Sequence, residues 1–337
     1  MRNVFITGSA GFIGFHLARH LLQAGFRVHG YDGMTAYYDV AMKRKRHAML
    51  LQTPGFSATE AMLEDMPTLD CVMDDFAPEI IIHLAAQAGV RYSLENPRSY
   101  VESNVVGSFN VLEAAKRLRV AHLLIASTSS VYGASPAMPF LETDRTDAPL
   151  TVYAATKKAT EALAHSYAHL WHLPVTLFRF FTVYGTWGRP DLAYFKFVEA
   201  ILQGRPIDVY NRGEMWRDFT AVDDLVEAVR RLIDVVPPRP EAGAAPVEGD
   251  SLSAVAPFRI VNIGNSDKVH LMEFIGIIEA LVGRKAICNL LPMQPGDAPA
   301  TWADASLLRR LTDFQPNTPL RDGLKRFVDW YRVEYSC

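Results

Sequence analysis

Short apolar runs alternate with amphipathic stretches along the first third of the chain. The apolar runs predict strands over residues 3–7, 27–31, 79–84 and 122–126. The amphipathic stretches predict helices over 12–23 and 97–118, the second with Pro97 near its first turn and a basic final turn, Lys116-Arg117. Because strands that alternate with helices form parallel sheets covered on both faces, this pattern predicts an α/β fold with a doubly wound parallel sheet.

The second half of the chain has shorter and more polar elements. A helix over 153–171 and a strand over 175–181 are expected to complete the sheet, and a helix near 320–331 ends the chain. Residues 235–258 are rich in Pro, Ala, Gly and Ser and predict an exposed loop, because a strand-like run resumes at 259–263. We therefore expect a first domain over about 1–180 and a smaller C-terminal α/β domain over 181–337, partly interleaved with the first.

Composition excludes several classes of protein. The 337 residues are 49% hydrophobic and 21% charged, which supports a packed core. The net charge of −3 gives no electrostatic footprint for nucleic acid, and no apolar run approaches the ~20 residues of a membrane span. Cys71, Cys288 and Cys337 have neither zinc nor disulfide-framework spacing. Without a secretory pattern, the chain is expected to be cytoplasmic, with no metal and no membrane partner.

A glycine-rich turn joins the first predicted strand to the first predicted helix. In Gly8-Ser-Ala-Gly11-Phe-Ile-Gly14, the first glycine suits a tight turn, the second lets a pyrophosphate approach the backbone, and the third allows close helix–strand packing. The free N–H groups of the helix then attract the phosphates. The motif alone also fits an ordinary turn, but its place between strand and helix indicates a dinucleotide site of the Rossmann type.

The end of the second predicted strand indicates which dinucleotide is bound. Asp32 lies 18 residues after Gly14, where a carboxylate accepts hydrogen bonds from the adenosine ribose. Gly33 follows, and no arginine stands there to receive a 2′-phosphate, so NAD is favoured over NADP. The basic cluster over 43–46 is interpreted as a solvated helix face, with contact to an adenosine phosphate as the alternative.

A tyrosine and a lysine lie four residues apart on the predicted helix 153–171. The Lys157 ammonium favours the phenolate of Tyr153, whose ordinary pKa of ~10 makes it a poor base at neutral pH. Such a pair also occurs on ordinary helices. It gains weight from the hydroxyl-rich turn 127–133 at the end of a predicted central strand, because ligands bind at the carboxyl ends of such strands.

Taken together and in order, these motifs resemble the extended short-chain dehydrogenase/reductase family, which includes nucleotide-sugar epimerases, decarboxylases and dehydratases. Within that family, four further segments are similar to those of UDP-glucuronate 4-epimerases: 85–93, 179–185, 187–191 and 217–219. The resemblance covers nearly the whole chain. It implies NAD that stays tightly bound, a UDP-sugar substrate, and a homodimer formed through the helices 97–118 and 153–171.

The resemblance also implies a role for each site residue. Tyr153 is the expected base, Lys157 its electrostatic partner, and Thr128 the group that bonds the reacting hydroxyl. The residues expected at NAD are Gly8, Gly11, Phe12, Ile13, Gly14, Asp32, Leu63, Leu84, Ala85, Ala86, Asn104, Ser127, Tyr153 and Lys157. The residues expected at the substrate are Thr128, Ser129, Ser130, Thr182, Arg189, Arg217 and Asp297.

Some of these roles have alternatives. Each arginine also fits a surface ion pair, and Asp297 also fits a turn. In one departure from the family pattern, Met62 stands where many relatives carry an aspartate near the adenine, so backbone groups around Leu63 are expected to bind that base.

Ser129 and Ser130 decide between the reactions of the family. A 4,6-dehydratase carries Asp-Glu at these two positions, and a UDP-glucuronate decarboxylase typically carries a glutamate at 130. We therefore expect NAD-dependent 4-epimerisation of UDP-glucuronate to UDP-galacturonate through a 4-keto intermediate. The alternatives are a neutral UDP-hexose 4-epimerase, a UDP-glucuronate decarboxylase and, least favoured, a non-catalytic NAD-binding sensor.

Overall fold

A computed structural model describes residues 1–241, 248–294 and 296–336 of the chain. The strands are β1 (Asn3–Thr7), β2 (Arg27–Asp32), β3 (Phe56–Glu60), β4 (Ile80–His83), β5 (His122–Thr128), β6 (Val175–Phe180), β7 (Thr182–Tyr184), β8 (Pro206–Val209), β9 (Trp216–Ala221), β10 (Phe258–Ile263), β11 (Lys268–His270), β12 (Ile287–Leu290) and β13 (Ala300–Thr301).

The helices cover both faces of the main sheet and much of the C-terminal half. They are α1 (Phe12–Gln23), α2 (Val40–Leu51), α3 (Met66–Phe76), α4 (Tyr92–Glu95), α5 (Pro97–Tyr100), α6 (Gly107–Leu118), α7 (Val152–Trp171), α8 (Ala193–Gln203), α9 (Val222–Leu232), α10 (Leu271–Val282), α11 (Ser306–Thr312) and α12 (Leu320–Glu334). No helix in the described ranges is long and apolar enough to cross a membrane.

The main sheet has seven parallel strands in the order β10-β6-β5-β4-β1-β2-β3. Alternate residues of each strand enter opposite layers: Val4 and Ile6 pack with α1 and α9, whereas Phe5 packs with α3 and α6. The strand order reverses between β1 and β4, and ligands bind at such a reversal outside the carboxyl ends of the strands. The predicted doubly wound sheet is confirmed, and it places the site at this edge.

The C-terminal half forms a smaller α/β unit over those carboxyl ends. Strands β7, β9, β11 and β13 form one small sheet and β8 pairs with β12, while α8, α10 and α12 bury a separate apolar cluster. Strand β10 then returns to the main sheet beside β6. The chain is therefore interleaved, and a boundary at 180 stays a prediction.

The predicted helix 97–118 is wrong in one detail. Its middle, Val101–Val106, is a π-helical turn that separates α5 from α6. The side chain of Asn104 within this turn accepts from the Gln87 backbone N–H at 2.8 Å and donates to the Thr156 hydroxyl at 3.1 Å. The wider turn thus coincides with a side chain that bonds two other segments.

The predicted exposed loop 235–258 holds only in part. Phe258 begins strand β10 and is buried, and Ala256 before it is fully buried. The Ser251 hydroxyl accepts from the Ile260 N–H at 3.1 Å, and Asp250 forms an ion pair with Arg259 at 2.9 Å. Residues 242–247 lie outside the described part of the chain. The last third of the segment therefore packs onto the main sheet.

Candidate active site

One continuous cavity of about 1040 Å³ runs from the glycine-rich turn to the C-terminal unit. It passes the carboxyl ends of β1, β4 and β5, where the strand order reverses. The predicted site residues line it with one exception, Asn104, which is fully buried behind the wall. Asn104 contacts the cavity indirectly, because its amide holds the backbone of Gln87 through two hydrogen bonds. Asn104 thus lies behind the wall and not in it, and its role at NAD stays a prediction.

The glycine-rich turn is closed to any larger side chain. Gly8 has φ +76°, and a Cβ there would lie 2.8 Å from the backbone nitrogen of Ala85. A Cβ on Gly14 would lie 2.0 Å from the Gly8 carbonyl oxygen. The Gly8 N–H donates to the Tyr31 carbonyl at 2.7 Å, which ties the turn to β2. The result is a bare backbone cradle at the start of α1, which fits the pyrophosphate of a dinucleotide.

Asp32 ends β2 with its carboxylate in the cavity wall. One oxygen accepts from the Ala10 N–H at 3.0 Å and the other from the Met34 N–H at 2.9 Å. Each carboxylate oxygen has a second acceptor position, so both hydroxyls of a ribose still find acceptors there. The residues present therefore fit NAD, whose binding needs this cradle and this carboxylate.

The basic cluster that follows is not a solvated face. Arg44 and Lys45 are exposed and form ion pairs with Glu60 and Glu334. Lys43, by contrast, is buried and donates to the Thr35 carbonyl at 2.8 Å. That interpretation is thus wrong for half of the cluster.

Arg46 is the most deeply buried member of the cluster. Its guanidinium donates to the Ala10 carbonyl at 3.1 Å, the Trp187 carbonyl at 2.6 Å and the Gly188 carbonyl at 3.0 Å. A single side chain therefore links the glycine-rich turn to the segment that carries Arg189. No pattern in the sequence predicted this link, because its partners lie far along the chain.

The three residues proposed for catalysis share one wall of the cavity. Thr128 ends β5, and its hydroxyl oxygen accepts from the Ser130 N–H at 3.1 Å, which leaves its hydrogen free to be donated. Burial raises the pKa of Tyr153, while a hydrogen bond with Thr128 and the charge of Arg189 act in the opposite direction. Thr128 thus favours the phenolate of Tyr153 directly.

Lys157 lies one turn further along α7 and is nearly fully buried. Burial lowers its pKa to about 8, and the negative charge of Glu161 opposes this shift. Glu161 forms a two-point ion pair with Arg179, at 2.9 Å on each oxygen, and accepts from the Ser127 hydroxyl at 2.6 Å. Sequence reasoning missed Glu161, although an acidic residue four positions after Lys157 on a buried helix face was a usable signal.

Hydroxyl groups line the cavity beside this wall. Ser129 and Ser130 begin a 3₁₀ turn, Ser129–Tyr132, that follows β5 directly. Thr182 begins β7, just after the end of β6, and borders the same cavity. These three side chains offer neutral donors and acceptors, and none can act as a carboxylic acid or carboxylate base.

Arg189 borders the cavity but is already engaged. It forms a two-point ion pair with Asp191, with Nε–Oδ1 at 3.0 Å, and the Tyr37 hydroxyl donates to the same carboxylate at 3.1 Å. The alternative of an ion pair therefore applies to Arg189, although the pair lies in the cavity wall and not on the outer surface.

Arg217 and Asp297 lie close together in the part of the cavity that the C-terminal unit lines. Arg217 Nη1 donates to the Trp216 carbonyl at 2.8 Å, and burial lowers its pKa while Asp297 raises it. Asp297 pairs with Arg91 at 3.0 Å, and the Arg91 guanidinium stacks 4.1 Å from the centre of the Tyr210 ring. Sequence reasoning missed Arg91, whose two partners are more than a hundred residues away.

Within 1–241, 248–294 and 296–336, no group of three or more His, Cys, Asp and Glu side chains is placed to hold a metal ion. The described cavity therefore offers a dinucleotide cradle, a phenol with a threonine and a lysine beside it, and a hydroxyl-lined pocket. This combination defines an enzyme class that works on a bound substrate with a nicotinamide cofactor.

Comparison with known proteins agrees with this class. A family model described as NAD dependent epimerase/dehydratase family matches residues 4–241. The chain belongs to this family, which confirms both the predicted family and the predicted cofactor NAD.

Its relatives specify the class further. The chain is 57% identical to a probable UDP-glucuronate 4-epimerase of Rhizobium meliloti, over 98% of this chain and 97% of that protein. It is 43% identical to UDP-glucuronate 4-epimerase 1 of Arabidopsis thaliana, over 99% of this chain and 77% of that one. It also resembles the crystal structure of a UDP-glucuronic acid 4-epimerase from Bacillus cereus in complex with UDP-glucuronic acid and NAD. That match has a TM-score of 0.88 and 29% identity, and covers 99% of this chain and 100% of that one.

Proposed function

We propose that this protein interconverts UDP-glucuronate and UDP-galacturonate by 4-epimerisation, as an isomerase that keeps NAD bound through the cycle. The observation that carries the proposal is the arrangement of one cavity wall. Thr128, Tyr153 and Lys157 all line it, while positions 129 and 130 hold serine hydroxyls in place of acids. The UDP-glucuronate 4-epimerases that match nearly the whole chain support the same substrate.

Tyr153 is the base for the C4 hydroxyl of the sugar. Its phenolate oxygen accepts the proton of the C4 hydroxyl, and a hydrogen bond from Thr128 to the Tyr153 oxygen lowers the cost of the charged form. Lys157, four residues after Tyr153 on α7 and on the same cavity, supplies a positive charge for the cofactor ribose and the phenolate, and Glu161 supports that charge. When bound, NAD supplies the oxidant that takes a hydride from C4 and later returns it. Tyr153 then gives its proton back to the C4 oxygen.

Inversion requires the 4-keto sugar to present its other face before the hydride returns. In this proposal the nucleotide end is held by Arg217 and Asp297, which line the cavity together, and Arg189, whose charge acts on Tyr153, lies nearer the catalytic wall. The sugar itself meets neutral hydroxyls, which exchange hydrogen bonds at small cost as the ring turns. We therefore propose that the nucleotide stays fixed while the 4-keto sugar rotates.

The neutral wall also explains why the other family reactions are disfavoured. Elimination of water across C5 and C6 needs an acid and a base next to Thr128, and Ser129 and Ser130 provide neither. The carboxylate of the uronic acid instead accepts hydrogen bonds from Ser129, Ser130 and Thr182. We propose that this grip keeps the C5–carboxylate bond out of line with the C4 carbonyl, so that carbon dioxide is not lost.

We further propose a cytoplasmic homodimer. The support for the dimer is a set of exposed apolar side chains on the π-helical turn and the helices α6 and α7: Val101, Val106, Phe109, Leu170 and Trp171, which are 41–61% exposed. Exposed apolar groups on adjacent helices are typical of an interface between copies of a chain. Sedimentation at several protein concentrations tests the dimer.

The decisive experiment is incubation of the purified protein with UDP-glucuronate and no added NAD. The product is identified by NMR, with UDP-glucose and UDP-N-acetylglucosamine assayed in parallel. We expect UDP-galacturonate to form, with Tyr153→Phe as an inactive control that still retains NAD. Conversion of only the neutral sugars would establish the neutral-sugar epimerase instead, and pentose product would establish the decarboxylase. Tight NAD binding without turnover of any of these sugars would instead favour the non-catalytic NAD-binding sensor.

A further inference from the structure

The cavity continues past Asp32 to an end lined by Met62, Leu63, Glu64 and Ser103. In a doubly wound sheet, the carboxylate that ends the second strand takes the adenosine ribose. The purine attached to that ribose therefore lies at this end. Met62 supplies a thioether there, which is only a weak acceptor for the exocyclic amino group of adenine. A strong acceptor for that amino group therefore has to come from another residue at this end of the cavity.

The backbone acceptors at this end are already engaged. The Met62 carbonyl accepts from the Tyr31 hydroxyl at 3.1 Å, and the Leu63 carbonyl accepts from the Asn110 side-chain amide at 2.8 Å. Asp65 is engaged too, because its carboxylate caps α3 through the N–H and the hydroxyl of Thr68. The Met62 carbonyl also accepts from the Asp65 N–H at 3.1 Å. These contacts hold the loop in place and leave, of these carbonyls, only the second acceptor position of the Leu63 oxygen for a donor.

Glu64 differs from these neighbours. Its Oε1 accepts a single long hydrogen bond from the Ser103 hydroxyl, at 3.2 Å. Its Oε2 is shielded from solvent and has no partner among the described residues. A buried carboxylate oxygen without a partner costs roughly 1–3 kcal/mol or more, so a donor that reaches it is strongly favoured. Glu64 lines the cavity, and its Oε1 keeps a second acceptor position beside the single bond from Ser103.

We infer that Glu64 reads the adenine of NAD by accepting a hydrogen bond from its exocyclic amino group. The carboxylate, two residues after Met62, then takes the role of the acceptor that position 62 lacks. A hypoxanthine ring has an oxygen in place of that amino group. It would turn a lone pair toward the carboxylate, so this pocket selects adenine over hypoxanthine. The inference concerns the cofactor, and it stands or falls independently of the sugar that the protein converts.

Displacement of labelled NAD from the holoenzyme tests the inference without relying on catalysis. Protein loaded with labelled NAD is incubated with rising concentrations of unlabelled NAD or of nicotinamide hypoxanthine dinucleotide. The ratio of the two half-displacing concentrations measures the selectivity. A hydrogen bond to a charged acceptor corresponds to about 10- to 100-fold, so we expect the wild-type ratio to exceed tenfold.

Variants separate Glu64 from other sources of selectivity. The amide of Glu64→Gln can accept from adenine or donate to the hypoxanthine oxygen, so its ratio should fall close to one. In Glu64→Ala the ratio should also fall, with weaker retention of NAD. Asp75→Asn removes an exposed carboxylate from the neighbouring helix α3 and should keep the wild-type ratio. Selectivity that arises at the purine ring nitrogens is the same in all four proteins.

A wild-type ratio near one would overturn the inference, as would a full wild-type ratio in Glu64→Ala and Glu64→Gln. An equal loss in Asp75→Asn would assign the effect to net charge and would overturn it as well. Because both dinucleotides compete in the same preparation, a variant that is only less stable changes both half-displacing concentrations and leaves their ratio intact.

Discussion

The charge of Glu161 is expected to set the pH range in which Lys157 works, and Glu161→Gln tests this. Burial lowers the pKa of Lys157 to about 8, and Glu161 is the group that raises it. The other charged or titratable groups at this pair are Arg179 on β6 and Lys158 on α7, which both face Glu161, and His83 on β4, whose pKa is lowered by burial and by the charge of Lys157. Glu161→Gln keeps an oxygen that can accept from Ser127 and Arg179 but removes the negative charge. Burial and the neighbouring cations then act on Lys157 unopposed.

The size of the effect follows from the spacing on α7. Side chains four residues apart on a helix are separated by roughly 6 Å, and two unit charges at that distance interact by about 2.8 kcal/mol at an effective dielectric of ~20. This corresponds to at most about 2 pKa units, and Arg179, which is present in both proteins, leaves this difference unchanged. We therefore expect the Lys157 pKa to fall by on the order of one unit.

The protonated lysine is the active form, so activity is present below its pKa and is lost as pH rises through it. Wild-type kcat should decline near pH 8, where the pKa of Lys157 lies, and Glu161→Gln should decline about one unit lower. The assay is the epimerisation rate across the neutral and alkaline range. An alkaline limb that stays in place would refute the reasoning, even if the variant unfolds more readily.

A second variant controls for the uncompensated guanidinium. Breaking a buried ion pair by removing one partner costs about 3–5 kcal/mol, because the other charge is left buried. In Glu161→Gln combined with Arg179→Met, both charges are removed and the local balance is restored. In this double variant, the pH at which kcat declines should return toward the wild-type value. Its thermal unfolding is measured separately and reports the change in stability.

Three further predictions follow from the same cavity. Tyr153→Phe should lower kcat by ~10²–10⁴-fold with nucleotide binding nearly unchanged, and retention of more than about a tenth of wild-type turnover would show that Tyr153 is not the base. Asp32→Ala should weaken NAD binding and reduce discrimination against NADP in a competition assay; equal wild-type affinity for both cofactors would contradict this. Ser130→Ala and Thr182→Ala should slow epimerisation and raise the share of decarboxylated UDP-4-keto-pentose, seen by mass spectrometry beside accumulating reduced cofactor. Slower epimerisation with no added pentose would mean that the hydroxyls bind the sugar without protecting its carboxylate.

The elements that sequence patterns predicted well are those fixed by local periodicity. The strand Asn3–Thr7 and the helix Phe12–Gln23 occur as expected, because their apolar spacing and the glycines between them leave few alternatives. The π-helical turn Val101–Val106 could not be predicted in this way. Its Asn104 forms hydrogen bonds with Gln87 and Thr156, which are 17 and 52 residues away along the chain. Helical periodicity does not indicate such distant partners.

The site shows the same division. Residues at strand ends, such as Asp32 and Thr128, could be placed on the cavity because the topology alone brings strand ends together. What could not be predicted is which charges are already paired. Arg46 sits in a run of basic residues that suggests a solvated face, yet it is fully buried against carbonyl groups of two distant segments. Burial of a charge depends on its partners, and these are visible only in three dimensions.

The return of β10 to the main sheet determines how the molecule can be divided. Strand β6 pairs on one side with β5 and on the other with β10. Strand β10 follows β6 in the chain only after β7, β8 and β9 of the C-terminal unit. A chain cut at residue 180 would leave one side of Val175–Phe180 as an open edge, with unpaired N–H and C=O groups beside buried apolar side chains. Such edges recruit strands from other chains and drive aggregation. The nucleotide-binding half is therefore not a detachable module, and fragments, fusions or permuted versions of this protein must carry Phe258–Ile263 to stay in solution.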